Sequence, residues 1–410
     1  MRLLHITTIP MSLTFLRGQV GYMQARGFRV HALSSPGSDL YEFAKAEGVS
    51  VSSVEMPRRV TPLRDLRAVA RIVREMRRIR PTIVHAHTPK GGLLGMIAAW
   101  VYGAKVRVYH MRGLPLMGAA GWKRRLLWST EWVACRLAHR VICVSHSVRA
   151  EAVAAGVCPP GKITVLLGGS GNGVDAAGRF DPERQGEPVQ REVRARFGIP
   201  GEATVVGFVG RIVRDKGVVE LATAWRELRS SHPDAHLLLV GPFEPQDPVP
   251  EEAERLLRED PRVHLAGMDW DTPPLYAAMD VVALPTYREG FPNVPLEAAA
   301  MGLPVVATRV PGCIDAVADD ETGLLVAPRD PEALRDALAS YLDDPALRRR
   351  HGASGRARVL REFRQEAIWE AIYREYRALL EDRGLAPPAD VTAGAADAAA
   401  TDPAIAGVGP

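Results

Sequence analysis

Cysteine is scarce in this chain: Cys135, Cys143, Cys158 and Cys313 are the four in 410 residues. None forms a Cys-x-x-Cys pair or stands at zinc-ligand spacing from a histidine, which argues against a disulfide framework or a structural zinc module. Buried free thiols are expected, in keeping with a reducing compartment. Long apolar runs are missing too. The longest, Gly91–Val101 and Leu303–Thr308, fall well short of the roughly 20 residues that cross a bilayer. Met1 to Ile6 lead straight into a strand without the apolar core and cleavage site of a secretory leader, so a cytoplasmic protein is expected. No recognised nucleic-acid module occurs.

Charge is plentiful and uneven. The net charge of +4 divides into 27 Lys+Arg against 11 Asp+Glu in residues 1–185, and 25 against 37 in the remainder. A basic half next to an acidic half points to an anionic partner for the first, whether nucleic acid, a phospholipid surface or a diphosphate-bearing substrate.

Short apolar strands alternate with helices: Arg2–Thr7, Arg29–Ser34, Thr82–Ala86, Val106–Tyr109, Arg140–Ser145 and Ile163–Leu167. A Gly-, Asp- and Pro-rich break follows, and the rhythm resumes at Thr204–Val209, His236–Val240, Val263–Leu265, Val281–Leu284 and Pro304–Ala307. Fully apolar strands alternating with helices predict parallel sheets covered on both faces. The expected fold class is α/β, with two doubly wound Rossmann-like domains facing a cleft. Their expected spans are 1–180 and 181–360, followed by a helical segment 361–385 and a disordered tail 386–410.

Three segments carry chemistry. Glu289-Gly290-Phe291-Pro292-Asn293-Val294-Pro295-Leu296-Glu297 follows an apolar strand and opens a helix of small residues. Free amides and the helix dipole favour an anion there, and two carboxylates eight residues apart can bind hydroxyls at two points of one ligand. Solvated or capping roles for both carboxylates remain open. Gly210-Arg211-Ile212-Val213-Arg214-Asp215-Lys216-Gly217 again joins a strand to a helix. Gly210 permits close backbone approach, and Arg211 and Lys216 supply the positive charge that a leaving diphosphate needs if no metal neutralises it. His110, near the end of Val106–Tyr109, is placed to point into the cleft and touch a sugar hydroxyl, or is structural. Asp269-Trp270-Asp271 has the Asp-x-Asp pattern of a metal site, but it precedes a helix, so capping is expected and no catalytic metal.

These segments, together with Gly302-Leu303-Pro304-Val305-Val306-Ala307-Thr308, Val310-Pro311-Gly312, Glu321-Thr322-Gly323 and Gly169-Ser170-Gly171-Asn172-Gly173-Val174-Asp175, resemble the retaining glycosyltransferases of family 4 over residues 1–380. The details are most similar to the subgroup that builds capsule, O-antigen and related bacterial glycans. The resemblance implies the GT-B fold, with a final helix crossing back to the first domain. It implies that Arg211 and Lys216 hold the donor diphosphate, Glu297 the ribose, and Glu289 the transferred sugar. The backbone of Gly290, Phe291, Pro292, Asn293 and Val294 would cradle phosphate and sugar, Gly210 would line the donor site, and His110 would face the reacting sugar. Retention without a bound metal or other cofactor is implied. One departure stands out: many relatives carry a Gly-Gly pair in the first loop, where this chain has Pro10-Met11-Ser12-Leu13-Thr14-Phe15.

In Thr61–Arg80, Leu66, Val69, Val73 and Met76 recur at helical spacing and are expected in the core. Arg64, Arg67, Arg71, Arg74 and Arg78 fall on another stripe, and Trp122-Lys123-Arg124-Arg125-Leu126-Leu127-Trp128 mixes aromatic and basic residues. Such segments suit the inner face of a membrane. The expected reaction moves an N-acetylated amino sugar from a UDP-sugar to a polyprenyl-diphosphate-linked acceptor, with no nucleic-acid partner. A nucleotide-sugar 2-epimerase of the same fold and a non-catalytic sugar-nucleotide-binding subunit are the alternatives.

Overall fold

The computed structural model describes residues 1–57 and 59–389. The tail expected to be disordered lies, from residue 390 on, outside the described residues. The first sheet contains β1 (Arg2–Ile6), β2 (Arg29–Ser34), β3 (Ser50–Ser53), β4 (Ile83–His87), β5 (Val106–Met111), β6 (Arg140–Cys143) and β7 (Ile163–Val165). Its order is β3-β2-β1-β4-β5-β6-β7. The second contains β8 (Thr204–Val209), β9 (Ala235–Val240), β10 (Val263–Gly267), β11 (Val281–Leu284), β12 (Val305–Thr308) and β13 (Gly323–Val326), in the order β10-β9-β8-β11-β12-β13. The strand order reverses once in each sheet, between β1 and β4 and between β8 and β11, and both of these pairs are parallel. A crevice opens at such a switch point, beyond the carboxyl ends of the two strands, and that is where ligands bind doubly wound sheets.

Alternation along the strands of the second sheet builds two cores. Val205, Val209, Val282, Leu284 and Ala307 join one apolar cluster, while Val206, Phe208, Val281, Ala283 and Val306 join the other. Both faces are therefore covered, which is why these strands read as continuous apolar runs. In the first unit the helix Pro89–Tyr102 lies close to the sheet because of its glycines. A Cβ on Gly92 would stand 2.2 Å from the Tyr109 ring, and one on Gly95 would stand 2.8 Å from Ala86 Cβ.

The chain divides into two compact units on lines other than those expected. Among the described residues, the first comprises Met1–Cys143, Ala152–Thr164 and 369–389; the second comprises Val144–Glu151 and Val165–Ile368. The expected boundary at 180 follows the Gly-rich break, but the physical break comes earlier. Ser145 Oγ donates to Gly290 O at 2.8 Å, and the amides of His146 and Ser147 donate to Asp315, so residues just past β6 are tied to the second unit. The last helix, Gln365–Glu381, completes the first unit: Ile372, Tyr376 and Leu380 are buried and Arg140 pairs with Glu375 at 2.6 Å.

Two sequence expectations need correction. Val69, Val73 and Met76 are buried, but Leu66 is 69% exposed, beside Leu63 at 77%. Leu66 and Leu63 lie in the first turns of the helix Pro62–Ile79, where periodicity continues but the packing partner does not. Asp271 takes the N-cap position of the helix Thr272–Ala277 without accepting a helix amide. It pairs instead with Arg179 at 3.4 Å, while Asp269 lies 3.9 Å from Arg196. The four cysteines form no disulfide and are buried, as expected.

Candidate functional site

Both motifs of the second unit flank its switch point. After β8, Arg214–Lys216 form a 3-10 turn that ends at Gly217, with φ 70°. Gly217 is required there twice over: left-handed backbone favours glycine, and a Cβ would lie 1.9 Å from Pro285 O. The turn is thereby pressed against the chain leaving β11. Tyr287 N donates to Asp215 O at 3.0 Å and Arg288 pairs with Asp215 at 2.9 Å, a clasp between the two motifs.

The clasp brings Lys216 to Glu289, and Lys216 Nζ donates to Glu289 Oε1. Arg211 is exposed and pairs with Glu244 at 2.9 Å, in the loop after β9. The two cations assigned to a diphosphate are thus each matched by a carboxylate. Gly290 is fixed from two sides, by Ser145 through its carbonyl and by Gly312, where a Cβ would lie 2.6 Å from Gly290 O. The Phe291 and Phe363 rings lie 5.6 Å apart between centroids, tilted by 51°.

Pro292 takes the N-cap position of the helix Asn293–Ala300 and no side chain caps it, so the amides from Asn293, Val294 onward lack side-chain acceptors. Glu297 lies one turn inside. Its Oε2 accepts from the buried Tyr276 hydroxyl at 2.9 Å. Burial pushes the Glu297 carboxyl above its usual range, and the Tyr276 hydrogen bond opposes that. Glu289 and Glu297 therefore differ: one is paired with a lysine, the other is a half-buried carboxylate held by a neutral donor.

His110 does not stand clear at a strand end. It is 1% exposed within β5, 5.3 Å from His85 and 5.4 Å from His87 between ring centroids. Tyr276, Ser145, Ser147, Asp315 and the Asp215–Arg288 pair escaped the sequence reading. Tyr276 sits 21 residues from Glu297, and nothing local announces that contact.

Comparison with known proteins fits this geometry. Residues 203–344 match the family described as glycosyl transferases group 1, and residues 14–176 match Glycosyltransferase Family 4. The capsular polysaccharide biosynthesis glycosyltransferase CapM of Staphylococcus aureus is 31% identical over 382 residues, covering 93% of this chain and 98% of that protein. The UDP-Gal:alpha-D-GlcNAc-diphosphoundecaprenol alpha-1,3-galactosyltransferase of Escherichia coli is 25% identical, covering 71% and 74%. Among solved structures, Anabaena HepE in complex with UDP superposes with a TM-score of 0.77 at 21% identity, covering 92% of this chain and 100% of that one.

Two doubly wound parallel sheets along one chain, together with the two glycosyltransferase family matches, make this a glycosyltransferase of the GT-B class. Within that class the chain belongs to glycosyltransferase family 4.

Proposed function

We propose that the protein transfers a sugar, an N-acetylated amino sugar or another hexose, from a UDP-sugar to a polyprenyl-diphosphate-linked glycan in bacterial surface polysaccharide assembly. The observation that carries this reading is the Lys216–Glu289 pair at the switch point, beside an uncapped helix N-terminus. The donor diphosphate would take the amides of Gly290, Phe291, Asn293 and Val294 and draw Lys216 away from Glu289. That frees the carboxylate for a sugar hydroxyl and leaves the ammonium on the departing phosphate. Arg211 would leave Glu244 in the same way, and Glu297 would take the ribose hydroxyls. The developing negative charge would be met by these side chains and amides without a metal ion, and the configuration at the anomeric carbon would be retained. UDP in the HepE complex and the diphosphoundecaprenol acceptor of the Escherichia coli relative support the donor and acceptor classes.

The same reading places the enzyme on the cytoplasmic face of a membrane, attached at its surface. Among the described residues no helix is long and apolar enough to cross one. Three helices of the first unit, Pro62–Ile79, Pro89–Tyr102 and Gly121–Leu137, carry exposed apolar side chains, among them Leu63, Leu66, Trp100, Val101 and Trp122. The first and third of these helices also carry exposed Arg64, Arg67, Arg71, Arg74 and Lys123. Apolar side chains among cations match an anionic lipid interface.

A thermal-shift screen of nucleotides and UDP-sugars, with magnesium or chelator, tests the donor assignment. Stabilisation by UDP and by one UDP-sugar, indifferent to magnesium, is expected. Folded protein that responds to no nucleotide would sink it. Turnover of a UDP-sugar without an acceptor would favour the epimerase. Flotation with anionic vesicles tests attachment: wild type should float, and L63S/L66S/W122S should not.

A further inference from the structure

The first switch point holds a cluster that the donor site does not use. His5 on β1, His85 and His87 on β4 and His110 on β5 lie on one face of the sheet, since His5 is in register with His85 and His87 with His110. All four are buried. Arg112 follows β5 directly; its Nε donates to His87 Nδ1 at 3.3 Å and its guanidinium lies 4.6 Å from the Phe15 ring centroid. Tyr376 of the last helix reaches His85 Nδ1 at 2.5 Å.

Two features of this cluster call for a ligand. Both ring nitrogens of His110, His85 Nε2 and Arg112 Nη2 are buried without a hydrogen-bond partner. Among the described residues no acidic side chain acts on Arg112, whose neighbours are the His87 and Phe15 rings and the Tyr376 phenol. A half-buried guanidinium without a carboxylate is costly, and four unsatisfied polar atoms at one place compound that cost. The histidines lie on the sheet face across β1, β4 and β5, and Arg112 follows the end of β5, next to the switch point between β1 and β4 where a doubly wound sheet binds its ligand.

We infer that Arg112, with His110 and His85, forms an oxyanion site in the first unit that takes the diphosphate of the acceptor. Arg112 offers a charged donor already oriented by His87 and Phe15, and a neutral imidazole offers one N–H. The Pro10–Phe15 segment supplies the aromatic face under that arginine. The competing ligand is a metal ion on His5, His85 and His87, whose nitrogens lie within 4.8 Å of one another. Two observations weigh against it. Because Arg112 donates to His87 Nδ1, neutral His87 carries its proton on Nε2, and that nitrogen meets His5 Nδ1 at 2.9 Å as a hydrogen bond. A dication would also add to the guanidinium charge with no carboxylate to balance either.

The acceptor assignment rests on the transferase reading; the anion site does not. Calorimetric titration with inorganic pyrophosphate, on wild type, R112M, R112K, H110A and K216A, tests both. Wild type should show two binding events. R112M should lose one, weakened at least about tenfold as a charged donor is removed, while UDP binding stays unchanged; R112K should restore part of it, and H110A should weaken it less. The R112M protein should also be no less heat-stable than wild type, because the uncompensated charge is gone. Geranyl diphosphate should displace pyrophosphate from this event more effectively than orthophosphate does; equal or better displacement by orthophosphate assigns the site to free phosphate and overturns the acceptor claim. Unchanged pyrophosphate binding in R112M overturns the site. So does one equivalent of zinc by elemental analysis that disappears in H87A. If UDP fails to bind but the Arg112-dependent event persists, the transferase reading falls and the anion site stands.

Discussion

The two switch points of this chain solve the same problem in opposite ways. At the second, each cation is matched by a carboxylate, Lys216 by Glu289 and Arg211 by Glu244. At the first, Arg112 is surrounded by neutral imidazoles. A matched pair is stable by itself, and an entering anion must compete with a carboxylate, which makes binding exchangeable and suits a product that has to leave. An unmatched cation gains from any oxyanion, which suits a group that is held while chemistry happens elsewhere on the molecule. Sequence motifs advertise the first kind of site, because acid and base are both written near glycines. They hardly mark the second.

Breaking the matched site should have the largest effect. Lys216→Ala should lower kcat by about 10²–10³-fold, the usual cost of losing one preorganised donor at a developing charge, with a smaller change in KM for the UDP-sugar. An unchanged kcat would show that the lysine only balances Glu289. Gly217→Ala forces a side chain into left-handed backbone and against Pro285 O, so a melting temperature several degrees lower is expected, at a cost of about 1–3 kcal/mol. A melting curve like that of wild type would mean that the clasp between the motifs yields easily. Glu297→Ala should raise the Kd for UDP about tenfold while leaving that for pyrophosphate alone, as loss of a charged acceptor from a ribose implies; equal weakening of both ligands would move Glu297 from the ribose to the phosphates.

The smallest effect is in pH dependence. The Glu297 carboxyl is held above the usual glutamate range by burial, and Tyr276 pulls it down. UDP affinity should therefore fall as pH drops through a value higher than an ordinary glutamate's, because protonation removes an acceptor from the ribose. Tyr276→Phe removes the opposing hydrogen bond and should shift that loss to still higher pH. A shift in the other direction would show that Tyr276 acts by a different route.

The second unit was largely legible from sequence because its chemistry is local. Gly210 to Gly217 and Glu289 to Glu297 each occupy one strand–turn–helix junction, and the apolar runs before them count out the strands. What escaped depends on distance along the chain. Tyr376 meets His85 across 291 residues, and Ser145 meets Gly290 across 145. His-x-His in β4 gave no sign of its neighbours, since register with β1 and β5 is what gathers four histidines on one face. Leu66 failed for the reverse reason: helical spacing identifies a stripe, but only the neighbouring element decides how far along the stripe burial continues.

The return of the chain at Trp369 has a consequence for the order in which the protein is made. Strands β1 to β7 leave the ribosome early, yet the helix that covers Phe28 and reaches His85 lies 291 residues further on, after the whole of the second unit. The second unit, almost continuous in sequence, can close first. The first must wait, with apolar surface meant for Ile372, Tyr376 and Leu380 still uncovered, and that interval is when a nascent chain is most open to chaperones and to aggregation.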